Sequence, residues 1–289
     1  MLHATDHSLA GPEAQLQQRF PQRLMQLADG AQAIREAGQG PAIVLLHGIG
    51  SGAASWLQVA LQLSQHARVI AWDAPGYGDS SPLAAPAPQA ADYARRLLQL
   101  LDALHIDDCL LVGHSLGALS AAALAYQHPQ RLRRLVLISP ARGYGDPARA
   151  EQAQQVRSQR LHNLEQLGIA QMARQRSAHM LSPAANAEAL AWVQWNMARL
   201  QPQGYRQAIE LLCGDDLLRY AALTVPCEVH CGGADSITRP EDCQALAKAL
   251  GAAFALIAGA GHASPIEQPE AVASLLARAL EASLTGTAL

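Results

Sequence analysis

Residues 113–117 read Gly-His-Ser-Leu-Gly, where the apolar run 109–112 gives way to a small-residue helical pattern. A serine on a strand-to-helix turn holds its hydroxyl above the sheet edge. A Cβ two residues to either side would collide with the crossing strand and helix, so Gly113 and Gly117 suit such an elbow. The amides at the start of the following helix point at the same spot. This five-residue pattern arises by chance in roughly one chain in ten of this composition, so other groups must decide. Serine nucleophilic chemistry also needs a base, a carboxylate that orients the base, and donors for the developing oxyanion.

The base is expected late in the chain, on the loop after the last strand. His262 stands there in Gly259-Ala260-Gly261-His262, with glycines allowing close approach. His66, His105, His128, His162 and His179 fall on or beside predicted helices, His230 alternates within a strand, and His3 and His7 sit in an N-terminal tail. His114 is expected to pack under the elbow. His47 is the serious rival, although it opens the loop expected to hold the oxyanion. For the carboxylate, Asp235 follows the strand before that of His262; Asp146 is a second option, and Asp73 ends a strand in a Pro-Gly turn that reads as structural. The expected catalytic order is therefore Ser115, Asp235, His262, with the backbone N–H groups of Ile49 and Leu116 as oxyanion donors. The chemistry is attack on an ester-type carbonyl, an acyl-enzyme, and water as second nucleophile.

Each of these residues must be carried by an element. Residues 23–37 suggest a hairpin about Asp29-Gly30, after which strands and helices alternate as in a parallel sheet with crossover helices. Predicted strands are 42–46, 68–72, 109–113 and 134–139; predicted helices are 53–64, 91–104 and 115–127. Residues 147–212 hold only helical patterns, punctuated by Pro183 and Pro202, and alternation resumes with strands 227–232 and 254–258 and helices 241–250 and 268–283. The fold class is thus α/β, a mostly parallel, doubly wound sheet of eight strands with a helical cap inserted after the sixth. The core is assigned to 1–140 and 221–289, the cap to 141–220. A cap in that place covers the carboxyl edge of the sheet, where α/β proteins bind ligands. Within it, Trp192 and Trp195 are expected either to pack or to line an apolar substrate pocket. Arg142 and Arg157 are expected either to pair with a substrate carboxylate or to form a solvated face.

Composition narrows the alternatives. Half of the 289 residues are hydrophobic and the net charge is −3, with no basic run to suggest nucleic acid or an anionic membrane as partner. The first residues lack the pattern of a signal peptide, and no stretch of 18 apolar residues suggests a span. Five scattered cysteines suit a reducing cytoplasm better than a disulfide framework, and no metal-ligand spacing appears, so neither metal nor cofactor is expected. One rival belongs to another class: residues 48–53 satisfy Gly-x-Gly-x-x-Gly/Ala with Asp73 twenty residues beyond, the spacing of a dinucleotide site. It leaves Ser115, Asp235 and His262 without a role. A ligand-binding protein that keeps the pocket without turnover is a further alternative.

Taken together, "LLHGIGSGAASW", "DAPGYGDSS", "LVGHSLGALSAAALAYQHPQRLRRLVLISP", "GGADSIT" and "GAGHASPIEQPEAV" resemble the α/β-hydrolase fold. The likeness is to its capped branch of carboxylesterases, enol-lactonases and carbon–carbon bond hydrolases, over residues 23–283. It implies a small-molecule substrate, an apolar or aromatic acyl compound, cleaved as an ester or lactone. Carbon–carbon cleavage, thioester hydrolysis and acyl transfer are the alternatives within the family. Relatives with an aspartate nucleophile are set aside by the serine at 115. Carbon–carbon hydrolases of this branch often carry an aromatic residue after the histidine, where this chain has Ala263-Ser264-Pro265.

Overall fold

In the computed structural model, which describes residues 10–286, eight strands form one sheet in the order β1-β2-β4-β3-β5-β6-β7-β8. They are Gln22–Leu27 (β1), Gly30–Ala37 (β2), Ala42–Leu46 (β3), Arg68–Trp72 (β4), Cys109–His114 (β5), Leu132–Ile138 (β6), Cys227–Gly232 (β7) and Ala253–Ile257 (β8). β1 and β2 form the expected hairpin, β2 runs antiparallel to β4, and every other pairing is parallel. A parallel strand is covered on both faces, which is why β3 and β5 are unbroken apolar runs. Side-chain alternation divides them between two cores: Ile43 and Leu45 pack on one face, Val44 and Leu46 on the other.

The helices are Ala10–Arg19 (α1), Leu57–Leu63 (α2), Ala90–Ala103 (α3), Gly117–Gln127 (α4), Ala150–Arg176 (α5), Ala187–Met197 (α6), Pro202–Gly214 (α7), Pro240–Leu250 (α8), the single turn Ser264–Glu267 (α9) and Pro269–Thr285 (α10). α1, α2 and α10 share the Ile43 face; α3, α4 and α8 share the Val44 face. α1 had no counterpart in the sequence reading, and His3 and His7 lie outside the described residues. α4 starts at Gly117 rather than at 115, because Ser115 has a left-handed backbone, φ 53°, that a helix cannot contain.

α5, α6 and α7 follow β6 and contain no strand, as expected. Asn186 caps α6 by accepting the Ala189 N–H at 2.8 Å, and Pro202 occupies the first turn of α7, where its missing N–H costs nothing. α5 is broken at Gly168, with φ 67° and ψ 169°, a break that no proline marks. α7 rests on the turn after β4, where Gly76 and Gly204 meet so closely that a Cβ on either would overlap the other's backbone. None of the helices among the described residues is long and apolar enough to cross a membrane.

Candidate active site

Ser115 sits at the carboxyl end of β5, its N–H donating to the Ile138 carbonyl at 3.0 Å and its own carbonyl accepting from Ala141 at 3.0 Å. These two bonds hold the positive φ in place. The flanking glycines are required by contact: a Cβ on Gly113 would lie 2.7 Å from Ala118 Cα, and one on Gly117 2.8 Å from the carbonyl oxygens of Leu46 and His47.

The structure brings the three expected residues together. Ser115 Oγ lies 3.0 Å from His262 Nε2, and His262 Nδ1 lies 2.8 Å from Asp235 Oδ2. Each comes from the carboxyl end of its own strand, β5, β7 or β8. An ionised carboxylate only accepts, so Nδ1 carries the imidazole proton and the bare Nε2 faces the serine hydroxyl. Asp235 Oδ1 accepts the N–H groups of Ile237 at 2.8 Å and Thr238 at 3.0 Å. Burial would raise this carboxyl, but hydrogen bonding and charge from His262, with the Ile237 amide and the Ser139 hydroxyl, bring it down to about 2. Thr238, which the sequence reading passed over, places Oγ1 2.9 Å from Asp235 Oδ2 and 3.0 Å from the Ser139 carbonyl. Its single proton serves one of the two: the first bond steadies the carboxylate within its own turn, and the second holds that turn against the end of β6. An Asp followed three residues later by Thr is a local turn signal that would have pointed to it.

Two other histidines support this arrangement without competing for the base. His114 packs against the His262 ring and donates from Nε2 to the His262 carbonyl at 2.8 Å. Burial and the His262 charge lower it to about 3, so it stays neutral and keeps donating. His47 accepts the Ala74 N–H on Nε2 at 2.9 Å and donates from Nδ1 to the Gly48 carbonyl at 2.8 Å. Both its nitrogens are engaged, and burial lowers its pKa. It therefore shapes the loop carrying Ile49. The Tyr77 hydroxyl adds a further tie, donating to the Ile49 carbonyl at 2.9 Å. The amides of Ile49 and Leu116 have no acceptor among the described residues, and a Cβ on Gly48 would come 3.2 Å from Ser115 Oγ.

These groups form the floor of a cavity of about 1000 Å³, roofed by α5, α6 and α7. Glu267 ties the roof to the floor by accepting from Gly261 N–H at 2.9 Å and Ser182 N–H at 3.0 Å. Trp192 and Trp195 do not line the cavity, which corrects the pocket alternative. They stack on each other at 4.5 Å on the face of α6 turned toward α1, where Trp195 Nε1 donates to Glu13. Met197 and Leu200, a fraction of a turn around, reach the cavity instead. Trp192→Ala should therefore lower stability by about 3 kcal/mol in thermal unfolding while leaving KM unchanged. A raised KM would place that ring in substrate contact.

The charged candidates also fall into place. Arg157 pairs with Glu210 at 3.1 Å, away from the cavity, so it is not available to a substrate. Arg142 does line the cavity but is held by Asp216 and Asp146 at 3.0 and 2.8 Å. Asp146 is thereby engaged with Arg142 and the Ala148 amide rather than with His262. Asp73 accepts the Ala53 N–H at 2.8 Å, so its carboxylate closes the very loop that a dinucleotide would have to occupy.

Residues 43–275 match the family described as the alpha/beta hydrolase family. An uncharacterized protein of Mycobacterium tuberculosis is 46% identical over 107 residues, 37% of this chain and 31% of that protein. The 2-hydroxy-6-oxo-6-phenylhexa-2,4-dienoate hydrolase of Burkholderia cepacia is 34% identical over 111 residues, 37% of this chain and 39% of that enzyme. The chain thus aligns with about a third of the length of these curated relatives. Among solved structures, the enol-lactonase of Burkholderia xenovorans superposes with a TM-score of 0.78 at 25% identity, covering 90% of this chain and 100% of that one.

Proposed function

The chain belongs to the alpha/beta hydrolase family, and from that premise we propose that it is a serine hydrolase cleaving a small carboxylic ester or lactone through an acyl-enzyme. The observation that carries this reading is the relay from Ser115 Oγ to His262 Nε2 at 3.0 Å and from His262 Nδ1 to Asp235 at 2.8 Å, at the floor of a cavity roofed by the cap helices. In the reaction, Oγ attacks the scissile carbonyl as His262 takes its proton. Asp235 holds the tautomer and stabilises the imidazolium. The Ile49 and Leu116 amides receive the oxyanion, each contributing about 3 kcal/mol of transition-state stabilisation. His262 then protonates the leaving alkoxide, and water repeats the sequence on the acyl-enzyme. The helices between β6 and β7 serve as a lid that excludes bulk water from this exchange.

The enol-lactonase name of the structural neighbour supports an ester or lactone carbonyl as the target. The dienoate hydrolase name of the sequence relative supports carbon–carbon cleavage as the second reading. Ala263 favours the first, since it puts no aromatic ring beside the histidine. A fluorophosphonate probe tests the assignment directly. It should label the protein once, at the peptide containing Ser115, and abolish ester turnover; label on any other residue would refute it.

A further inference from the structure

Two arginines in the cavity have no role in the chemistry above. Arg160 and Arg176, both on α5 and both half-buried, line the same cavity as Ser115. No carboxylate among the described residues pairs with either, whereas Arg142 and Arg239 in the same cavity are each held by an aspartate, and Arg149 is engaged by Gln152, the Gly143 carbonyl and the Tyr144 ring. The sole hydrogen bond recorded for this pair is from Arg160 Nη1 to the Tyr205 hydroxyl at 3.2 Å. Guanidinium groups stay protonated even when partly desolvated, so two cations face one cavity without a carboxylate partner. Burial, and then the neighbouring Arg160 charge, lower the Arg176 pKa below its ordinary value.

The backbone is bent to produce this adjacency. In an unbroken helix, residues sixteen apart lie about 24 Å apart along the axis and nearly on opposite faces. The break at Gly168 lies midway between the two and changes the helix direction there, and both arginines line one cavity. Asn163 and His179, one helical turn beyond each arginine, line it as well. The pair is also linked to the oxyanion loop: Tyr205 follows Gly204, which rests on Gly76, and the adjoining Tyr77 bonds to Ile49. The same cavity also carries the apolar side chains of Met180, Met197 and Leu200, the first two against Gly50 of the loop that holds Ile49.

We infer that the substrate of the proposed hydrolase carries a carboxylate, held by Arg160 and Arg176 across an apolar spacer from the carbonyl that Ser115 attacks. This rests on the serine-hydrolase reading for its reaction, but the anion site stands on its own geometry. Two close cations without a carboxylate repel each other, and a bound carboxylate relieves that repulsion with charge-assisted hydrogen bonds. The substrate is then a half-ester of a diacid, a lactone of a hydroxy diacid, or an ester whose alcohol part bears the acid.

Matched esters test this. For acid on the acyl side, p-nitrophenyl mono-adipate is compared with p-nitrophenyl hexanoate. For acid on the alcohol side, the hexanoate ester of para-hydroxybenzoate is compared with that of its methyl ester. The wild-type protein should prefer the acidic member of one pair by about tenfold or more in kcat/KM, the worth of one charge-assisted contact set. That ratio should collapse toward one in Arg160→Gln and in Arg176→Gln. In a separate arm that needs neither turnover nor those variants, calorimetry on Ser115→Ala should find adipate binding about tenfold tighter than hexanoate, with the difference shrinking as salt is raised. Ratios near one in both ester pairs together with equal binding of adipate and hexanoate would overturn the inference. So would a ratio preserved in both glutamine variants, since a merely structural arginine lowers both esters alike. Adipate binding without turnover of any ester or labelling of Ser115 would retain the anion site and remove the hydrolase reading; turnover and labelling without anion preference would do the reverse.

Discussion

Ser115→Ala should cut kcat/KM for a p-nitrophenyl ester by a factor on the order of 10⁵ and eliminate fluorophosphonate labelling. The magnitude follows from what remains. Without Oγ, the cavity still binds the ester, and the Ile49 and Leu116 amides still face the carbonyl oxygen. That residue of catalysis leaves a rate above the uncatalysed one, with water as the attacking group. The substitution should leave the melting temperature near that of the wild type. The hydroxyl's recorded partner is His262 Nε2. The strained backbone at φ 53° is held by Ile138 and Ala141 through main-chain groups that alanine keeps. A loss of activity with the fold intact is therefore the expected pair of results from steady-state kinetics and thermal unfolding. Undiminished turnover would locate the chemistry on another residue.

The parts of this site that could be read from sequence are those fixed by sheet geometry. In a parallel sheet every strand ends at the same edge, so residues just past β5, β7 and β8 must converge whatever their separation in the chain. That is why Ser115, Asp235 and His262 could be paired across more than a hundred positions. The strands themselves were legible because Ile43 to Leu46 and Leu110 to Val112 are buried on both faces and read as unbroken apolar runs. What could not be read depends on rotation and bending of helices. Trp192 and Met197 are both apolar and five residues apart, and only packing against α1 decides which of them turns from the cavity. Arg160 and Arg176 look like members of a solvated face until Gly168 breaks the helix between them. Gly168 has no neighbour within 4 Å of an added Cβ, so its positive φ is the only trace, and φ is not written in a glycine's identity. Tyr77 acts through a single hydrogen bond to Ile49, 28 residues away on another loop, a distance that sequence spacing does not encode.

Asp235→Asn should lower kcat by about 10⁴, more than removal of one charge would suggest, because the amide inverts the histidine. Oδ1 accepts two backbone N–H groups, from Ile237 and Thr238, so the asparagine carbonyl must take that position. Its NH₂ then occupies the site of Oδ2, where it faces His262 Nδ1 as a donor. Nδ1 must accept, the imidazole proton moves to Nε2, and Nε2 can no longer take the proton of Ser115. The pH dependence offers an independent check with a definite sign. Asp235 is held to about 2 and His114 to about 3, so above those values the first stays ionised and the second stays neutral. Neither of these two groups therefore changes its charge near neutral pH, and attack needs the bare Nε2 that faces Ser115. A base that has lost its free nitrogen cannot act, so in acid kcat/KM should fall with the slope of a single ionisation, about tenfold per pH unit. An acid limb of slope two in the wild type would mean that Asp235 takes up a proton in the same range rather than serving as a fixed anion.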